Sequence, residues 1–217
     1  MAFMIEVWGD YALFTRPEMK VERVSYDVMT PSAARGLLEA IYWHPGIRWV
    51  IDKIYVMNPI QFTNIRRNEV SAKLSAAKAR SVMNGADEDL YLCTRDCIQQ
   101  RASMLLKDVR YIIEAHFEIT DQTSPGDNHG KITDIVHRRL RKGQCYHQPY
   151  FGTREFPASF REWQGSIHST AYPNEKKDLG FMLYDMDYSN PQDIKPQFFR
   201  AILDSGILNL SNCEVFT

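Results

Sequence analysis

The chain of 217 residues lacks the features that mark secreted or membrane-spanning proteins. Its first residues, Met1 to Glu6, have no basic segment and reach a charged residue at once, which is not typical of a secretory signal peptide. No apolar run approaches the roughly 20 residues that a membrane-spanning helix requires. We therefore expect a cytoplasmic protein with no membrane partner.

Cysteine is scarce, and its spacing argues against a structural metal site. Among the 4 cysteines only Cys93 and Cys97 are close in sequence, and no second pair of Cys or His stands at zinc-finger spacing. The sequence also has no glycine-rich dinucleotide loop, no P-loop and no acidic cluster of the kind that holds Mg²⁺. We expect free thiols, no metal and no cofactor.

Positive and negative charges nearly cancel, giving a formal net charge of -1, but they are unevenly distributed. Between residues 131 and 154 the only acid is Asp134, and the basic residues are Lys131, Arg138, Arg139, Arg141, Lys142 and Arg154. The chain after Phe160 is rich in acids, including Asp185, Asp187, Asp193, Asp204 and Glu214. This distribution is compatible with a face that grips RNA, and equally with a solvated helix surface around Arg138.

With 44% hydrophobic residues the chain can fill a core, and its periodicity predicts alternating strands and helices. The predicted elements are a strand at 3–8, a helix at 31–43, strands at 48–57 and 109–119, a helix at 131–142 and a short strand at 144–151. Thr30 and Pro31 are a typical helix start, and Gly143 is a typical helix end. In the strand at 109–119, alternation places Glu114 and His116 on the face opposite to the apolar residues.

This order predicts an α+β protein with a ferredoxin-like, RRM-like N-terminal domain at 1–152, a topology that carries RNA on an open sheet in the RRM. Residues 61–108 are a long insertion in it, with predicted helices near 71–83 and 89–105. Residues 153–217 are predicted to form a small, mainly β C-terminal domain with one helix at 196–205.

Several short motifs occur in an order that is shared with a known family. They are Gly9-Asp10-Tyr11-Ala12-Leu13-Phe14-Thr15, Glu39-Ala40-Ile41-Tyr42-Trp43-His44-Pro45, Val56-Met57-Asn58-Pro59-Ile60, Lys107-Asp108-Val109-Arg110-Tyr111 with Ala115-His116-Phe117, Phe151-Gly152-Thr153-Arg154-Glu155-Phe156 and Leu179-Gly180-Phe181-Met182-Leu183-Tyr184-Asp185. Over almost the whole chain they resemble the subtype I-C (Dvulg) Cas-five proteins of CRISPR systems, in the RAMP superfamily.

The resemblance implies a prokaryotic protein that binds precursor CRISPR RNA and cleaves it at the repeat hairpin. Cleavage would use the ribose 2′-OH as nucleophile, without a metal, and the protein would keep the 5′ tag within a type I-C surveillance complex beside other subunits. The alternative is a non-catalytic RNA- or DNA-binding subunit of that complex, and duplex DNA is left open as a ligand.

The resemblance also implies catalytic residues, namely a tyrosine after the first helix and a lysine and a histidine on the central strand. Tyr42 matches the tyrosine and His116 the histidine, whereas Glu114 stands in place of the lysine. A Glu114–His116 couple can still supply a base and an acid. From composition alone, Tyr42 is more often a packed aromatic residue, and a tyrosine pKa of about 10 suits positioning better than proton removal.

Positive charge for the RNA phosphates is expected mainly from the second helix, through Arg138, Arg139, Arg141 and Lys142. Arg154 next to Gly152, and Lys107 and Arg110 on the central strand, are further candidates. His44 and His147 are weaker candidates for the chemistry.

Overall fold

The computed structural model describes residues 2–19 and 21–217. Its strands are β1 (Phe3–Ala12), β2 (Arg23–Val24), β3 (Ile47–Val56), β4 (Phe62–Val70), β5 (Ile98–Ile119), β6 (Ser159–Glu162), β7 (Lys176–Asp187), β8 (Lys195–Asp204), β9 (Ile207–Asn209) and β10 (Val215–Phe216). Its helices are α1 (Pro31–Ile41), α2 (Ala76–Met83), α3 (Thr94–Cys97) and α4 (His129–Lys142). None of the helices in these ranges is long and apolar enough to cross a membrane.

The strands form one large, mainly antiparallel sheet in the order β10-β8-β9-β3-β5-β1-β6. The long strand β5 organises it, because its C-terminal half pairs with β1 on one side and with β3 on the other. Its N-terminal half pairs with β4 to form a two-stranded ribbon. The protein is therefore a mixed α and β structure, as the sequence pattern predicts in outline.

Helices α1 and α4 cover one face of the sheet and bury their apolar sides there. Leu37 and Leu38 of α1 and Val136 of α4 belong to the same buried cluster as the alternate residues of β1 and β5. The start of α1 is capped as predicted, since Thr30 Oγ1 accepts from the amide of Ala33 at 3.2 Å. Such a cap contributes about 1 kcal/mol.

Two predicted helices are wrong. Residues 89–105 contain only the short α3, and from Ile98 onward the chain is strand β5. Residues 196–205 are strand β8, in which Phe199, Ala201 and Leu203 alternate into the core. In both places pairing with a distant strand outweighs the weak local helix preference.

The last strand predicted for the N-terminal domain also lies elsewhere. Residues 144–151 contain only the isolated bridge between Tyr150 and Pro157, and β6 occupies the position beside β1 instead. The first strand, predicted to end at Trp8, continues through Gly9 and Asp10 to Ala12.

Candidate functional site

His116 projects from the sheet face opposite to α1 and α4, because its neighbours Ala115 and Phe117 are buried on the helix side. Its Nδ1 lies 2.8 Å from Oδ2 of Asp52 on β3. An ionised carboxylate can only accept, so Nδ1 donates and Nε2 is the nitrogen that can exchange a proton with a substrate. The side chain is 37% exposed, which leaves it open to a ligand.

Glu114 lies two residues before His116 on the same face and is held by two donors from β3. Lys53 Nζ lies 3.2 Å from its carboxylate, and the Tyr55 hydroxyl donates to it at 2.7 Å. Burial, together with the bond to Glu114, raises the pKa of Tyr55 and keeps this hydroxyl protonated. Lys53 thus places a cation, from the neighbouring strand, beside position 114.

A β-bulge in β3 brings these groups together. The pairing of β3 with β5 shifts between Ile51 and Lys53. Asp52 is the extra residue, and the bulge allows Asp52 and Lys53, although consecutive, to contact side chains on the same face of β5. Neither residue is recognisable as a site residue from the sequence, since only the register between two distant strands reveals their partners.

Tyr42 follows α1 and lies on the helix side of the sheet. It is 7% exposed, its carbonyl accepts from the Trp49 indole at 3.0 Å, and the Arg139 guanidinium lies 5.0 Å from its ring centre. Burial raises the pKa of the Tyr42 phenol, so its hydroxyl is not a base near neutral pH. The sheet therefore separates Tyr42 from His116 and Glu114.

The surroundings of Tyr42 form a second polar cluster. The His44 ring stacks parallel to it, with ring centres 6.5 Å apart, and His44 Nε2 lies 3.4 Å from Asp127. Lys131 donates to Asp127 at 2.9 Å, and this bond holds the pKa of the Asp127 carboxyl below its usual range. The backbone amide of His147 donates to the carbonyl of Ala40 in the last turn of α1 at 3.2 Å.

The basic residues in the C-terminal half of α4 divide into two groups. Arg138, Arg141 and Lys142 are exposed and form no ion pair with any side chain in the described ranges. Arg139 is partly buried and donates to the carbonyl of Ile41 at 2.5 Å, so it fastens α4 to α1. Three of the four predicted phosphate contacts on this helix are thus available to a ligand.

The remaining predicted RNA contacts lie apart from α4. Arg154 is exposed in the loop after Gly152. Arg110 donates to the buried carboxylate of Glu6 at 2.6 Å, which offsets much of its charge. Lys107 is half-buried on β5.

Within residues 2–19 and 21–217, no three or more His, Cys, Asp or Glu side chains are grouped so as to hold a metal ion.

Comparison with known proteins agrees with this architecture. A family model described as CRISPR-associated protein (Cas_Cas5) matches residues 3–210. The CRISPR pre-crRNA endoribonuclease Cas5d of Mannheimia succiniciproducens is 48% identical over 211 residues, which cover 95% of this chain and 93% of that protein. The Thermus thermophilus protein of the same name is 42% identical over 184 residues, covering 85% of this chain and 72% of that protein.

Two solved structures have the same fold. A structure described as a CRISPR-associated protein superposes with a TM-score of 0.71 at 23% identity and covers 100% of this chain and 97% of its own. The Streptococcus mutans protein SMU1763c has a TM-score of 0.70 at 24% identity, with the same coverage. From the family match and the two close relatives, the chain belongs to the CRISPR-associated Cas5 family.

Proposed function

We propose that this chain is an endoribonuclease that cleaves precursor CRISPR RNA. The observation that carries the proposal is its 48% identity, over 93% of that protein's length, with a relative whose name states this activity. Cleavage falls at the repeat hairpin, and the protein then keeps the 5′ tag beside the other subunits of a type I-C surveillance complex. The cleavage position, the retention of the 5′ tag and the complex are properties that the family resemblance implies for this chain.

We assign the proton transfer to His116. Its Nε2 removes the proton of the ribose 2′-OH, the oxygen attacks the adjacent phosphorus, and Asp52 stabilises the imidazolium that forms. Lys53 stabilises the charge that develops on the phosphate, and Glu114 positions Lys53. A solvent water protonates the departing 5′-oxygen and the imidazolium returns its proton to solvent, which yields a 2′,3′-cyclic phosphate and a 5′-hydroxyl. Arg138, Arg141, Lys142 and Arg154 are assigned to the flanking phosphates.

We infer that the N-terminal part is a ferredoxin-like unit. The strand order β6-β1-β5-β3, with α1 after β1 and α4 after β5, supports this inference. Because β6 pairs with β1, the boundary to the small β-rich C-terminal domain is better placed after Glu162 than at Gly152.

A non-catalytic RNA-binding subunit is the second candidate. The separation of Tyr42 from His116 favours it, because the three side chains matched to the family's catalytic positions do not meet in one cluster. Glu114 in place of a lysine favours it as well. Such a subunit could also bind duplex DNA. Competition of unlabelled duplex DNA against labelled RNA for the chain measures this binding.

The deciding experiment incubates the purified chain with its own repeat RNA in EDTA. We expect one cut at the base of the hairpin, with a 2′,3′-cyclic phosphate on the upstream product. Tight binding without cleavage, in EDTA and with added divalent metals, would instead establish the binding subunit.

A further inference from the structure

A cavity of about 390 Å³ opens on the sheet face that carries His116, at the far end of β1. It is lined by residues that include Glu6, Trp8, Asp10, Asn58, Asp108 and Arg161. Elsewhere on this face, residues 165–174 lie against Met4 and Tyr55. Around Trp8 the face stays open, and the indole is 36% exposed.

The floor of the cavity is a buried carboxylate held between two arginines. Glu6 is only 1% exposed, and its two oxygens accept from Arg110 and from Arg161 respectively. The Arg161 guanidinium also lies 5.4 Å from the centre of the Trp8 ring. Each guanidinium group donates to Glu6, and the contact of Arg161 with the ring holds the indole in a defined orientation at the cavity mouth.

Two carboxylates lie at the cavity mouth beside the partly exposed guanidinium groups of Arg110 and Arg161. Asp10 and Asp108 are exposed, and among the described residues neither side chain donates to, accepts from or pairs with another. The backbone of Asp108 has φ 53°, in the left-handed region, and its carbonyl accepts from the Asn58 amide at 2.7 Å. This conformation turns the chain at the point where β5 passes from β4 to β1.

The groups at the mouth select the ligand by shape and by hydrogen bonding. An exposed indole on an open sheet is a platform for a planar base. Carboxylates only accept, and they repel phosphate. Among the four RNA bases, guanine alone presents two adjacent donors, N1–H and N2–H, on one edge, whereas uracil places its single N–H between two carbonyl oxygens.

We propose that this cavity binds an unpaired guanine, which stacks on Trp8 and donates to the carboxylates of Asp10 and Asp108. The inference rests on the proposed function only in taking the guanine to be part of an RNA. The proposed base-specific contact lies at the Trp8 end of β1. His116 lies near the other end of β1, because its neighbour Ala115 pairs with Phe3.

The test measures binding by fluorescence anisotropy with labelled, 2′-O-methylated oligouridines, which cannot be cleaved by 2′-OH attack. Each carries one central guanosine, inosine or adenosine. We expect guanosine to bind about tenfold more tightly than adenosine, with inosine between them because it lacks the N2 amine. The double variant Asp10→Ala/Asp108→Gly removes both acceptors, with glycine suited to the positive φ at position 108. It should lose the preference without weakening binding of the adenosine probe, and Trp8→Ala should weaken all three.

The control is Asp193→Asn, which removes an exposed carboxylate at the distant β7–β8 turn and should keep the preference. Equal affinity of the wild-type chain for guanosine and adenosine would overturn the inference, as would a preference that survives the double substitution. Circular dichroism of each variant establishes that it is folded. Because the probes are not cleaved, the guanosine preference can be measured even if the chain does not cleave its repeat RNA. Equally, absence of the preference would not contradict cleavage of the repeat.

Discussion

At the scale of single residues, the contact between His116 and Asp52 is the main reason to assign proton transfer to His116. It leaves one ring nitrogen free on an exposed face, while Lys53 and Glu114 place a charge pair beside it. A histidine held in one tautomer by a carboxylate is the usual arrangement for proton transfer near neutral pH.

His116→Ala should reduce the cleavage rate by about 10²-fold or more, because general base catalysis contributes on this order. Asp52→Asn should fall between that variant and the wild type, since the amide oxygen still accepts from Nδ1 but no longer stabilises the imidazolium. Single-turnover kinetics on repeat RNA measures both. The matched control is His168→Ala, an exposed histidine whose Nε2 lies 3.0 Å from the Ser166 hydroxyl. Full activity of His116→Ala would remove this residue from the mechanism.

Tyr42→Phe should slow cleavage much less than His116→Ala, by about tenfold at most. The ring keeps its contacts with Arg139 and the core, and only a hydroxyl on the other side of the sheet is lost. The same kinetic assay ranks the two variants. An equal loss in both would show that the RNA contacts both faces during the reaction.

At the scale of elements, α4 is apolar toward the sheet and basic toward solvent. Its last turn carries Arg139, Arg141 and Lys142, where cations also interact favourably with the helix dipole. The unpaired members of this surface are suited to phosphate contact.

The double variant Arg138→Ala/Lys142→Ala should weaken RNA binding and reduce the slope of log K against log salt by about 1.5, because each phosphate contact contributes about 0.7 to 0.9. Titrations at several salt concentrations measure the slope. Lys176→Ala/Lys195→Ala removes the same charge from β7 and β8 and should leave the slope unchanged. An unchanged slope in the α4 variant would place the phosphates elsewhere.

The loop from Tyr150 to Pro157 depends on one glycine. Gly152 has φ 81°, and a Cβ there would lie 1.9 Å from the carbonyl oxygen of Leu13. We expect Gly152→Ala to lower the free energy of unfolding by about 2 kcal/mol or more. Gly36→Ala is the matched control, since a Cβ there meets nothing within 4 Å inside α1, and it should raise stability by about 1 kcal/mol.

Urea unfolding of both glycine variants gives the two free energies. If Gly152→Ala unfolded at the wild-type urea concentration, the loop would have to rearrange freely, and the close approach to Leu13 would not be a constraint.

At the scale of the whole molecule, an ion pair joins the helix layer to the C-terminal strands. Arg35 of α1 donates to both oxygens of Asp185 on β7, at 2.9 and 2.8 Å. Burial alone would lower the pKa of the Arg35 guanidinium, but the bonds and charges of Asp185 and Glu39 together outweigh it and raise the pKa. The bidentate geometry and partial burial distinguish this pair from surface ion pairs.

A double-mutant cycle with Arg35→Met and Asp185→Asn should give a coupling energy of about 1 to 3 kcal/mol in urea unfolding. The exposed pair Arg48–Glu118 serves as the control, and Arg48→Met should cost less than about 0.5 kcal/mol. A coupling near zero for Arg35 and Asp185 would mean that this pair does not hold the layers together.

Local signals predicted the elements that depend on local interactions. Both major helices begin and end within two or three residues of the prediction, because a hydroxyl cap, a proline and a C-terminal glycine act within one turn. The first half of β5 was missed because its strand conformation depends on β4, whose residues lie about thirty positions or more away in sequence.

The sequence by itself determined the alternation of β5, and with it the exposed face that carries Glu114 and His116. Only the tertiary structure decided their partners, because a bulge between Ile51 and Lys53 sets which residues of β3 meet that face. The sheet likewise decided that Tyr42 lies on the other side. Side-chain direction along a strand follows from its period of two, whereas register between strands follows from packing of the whole sheet.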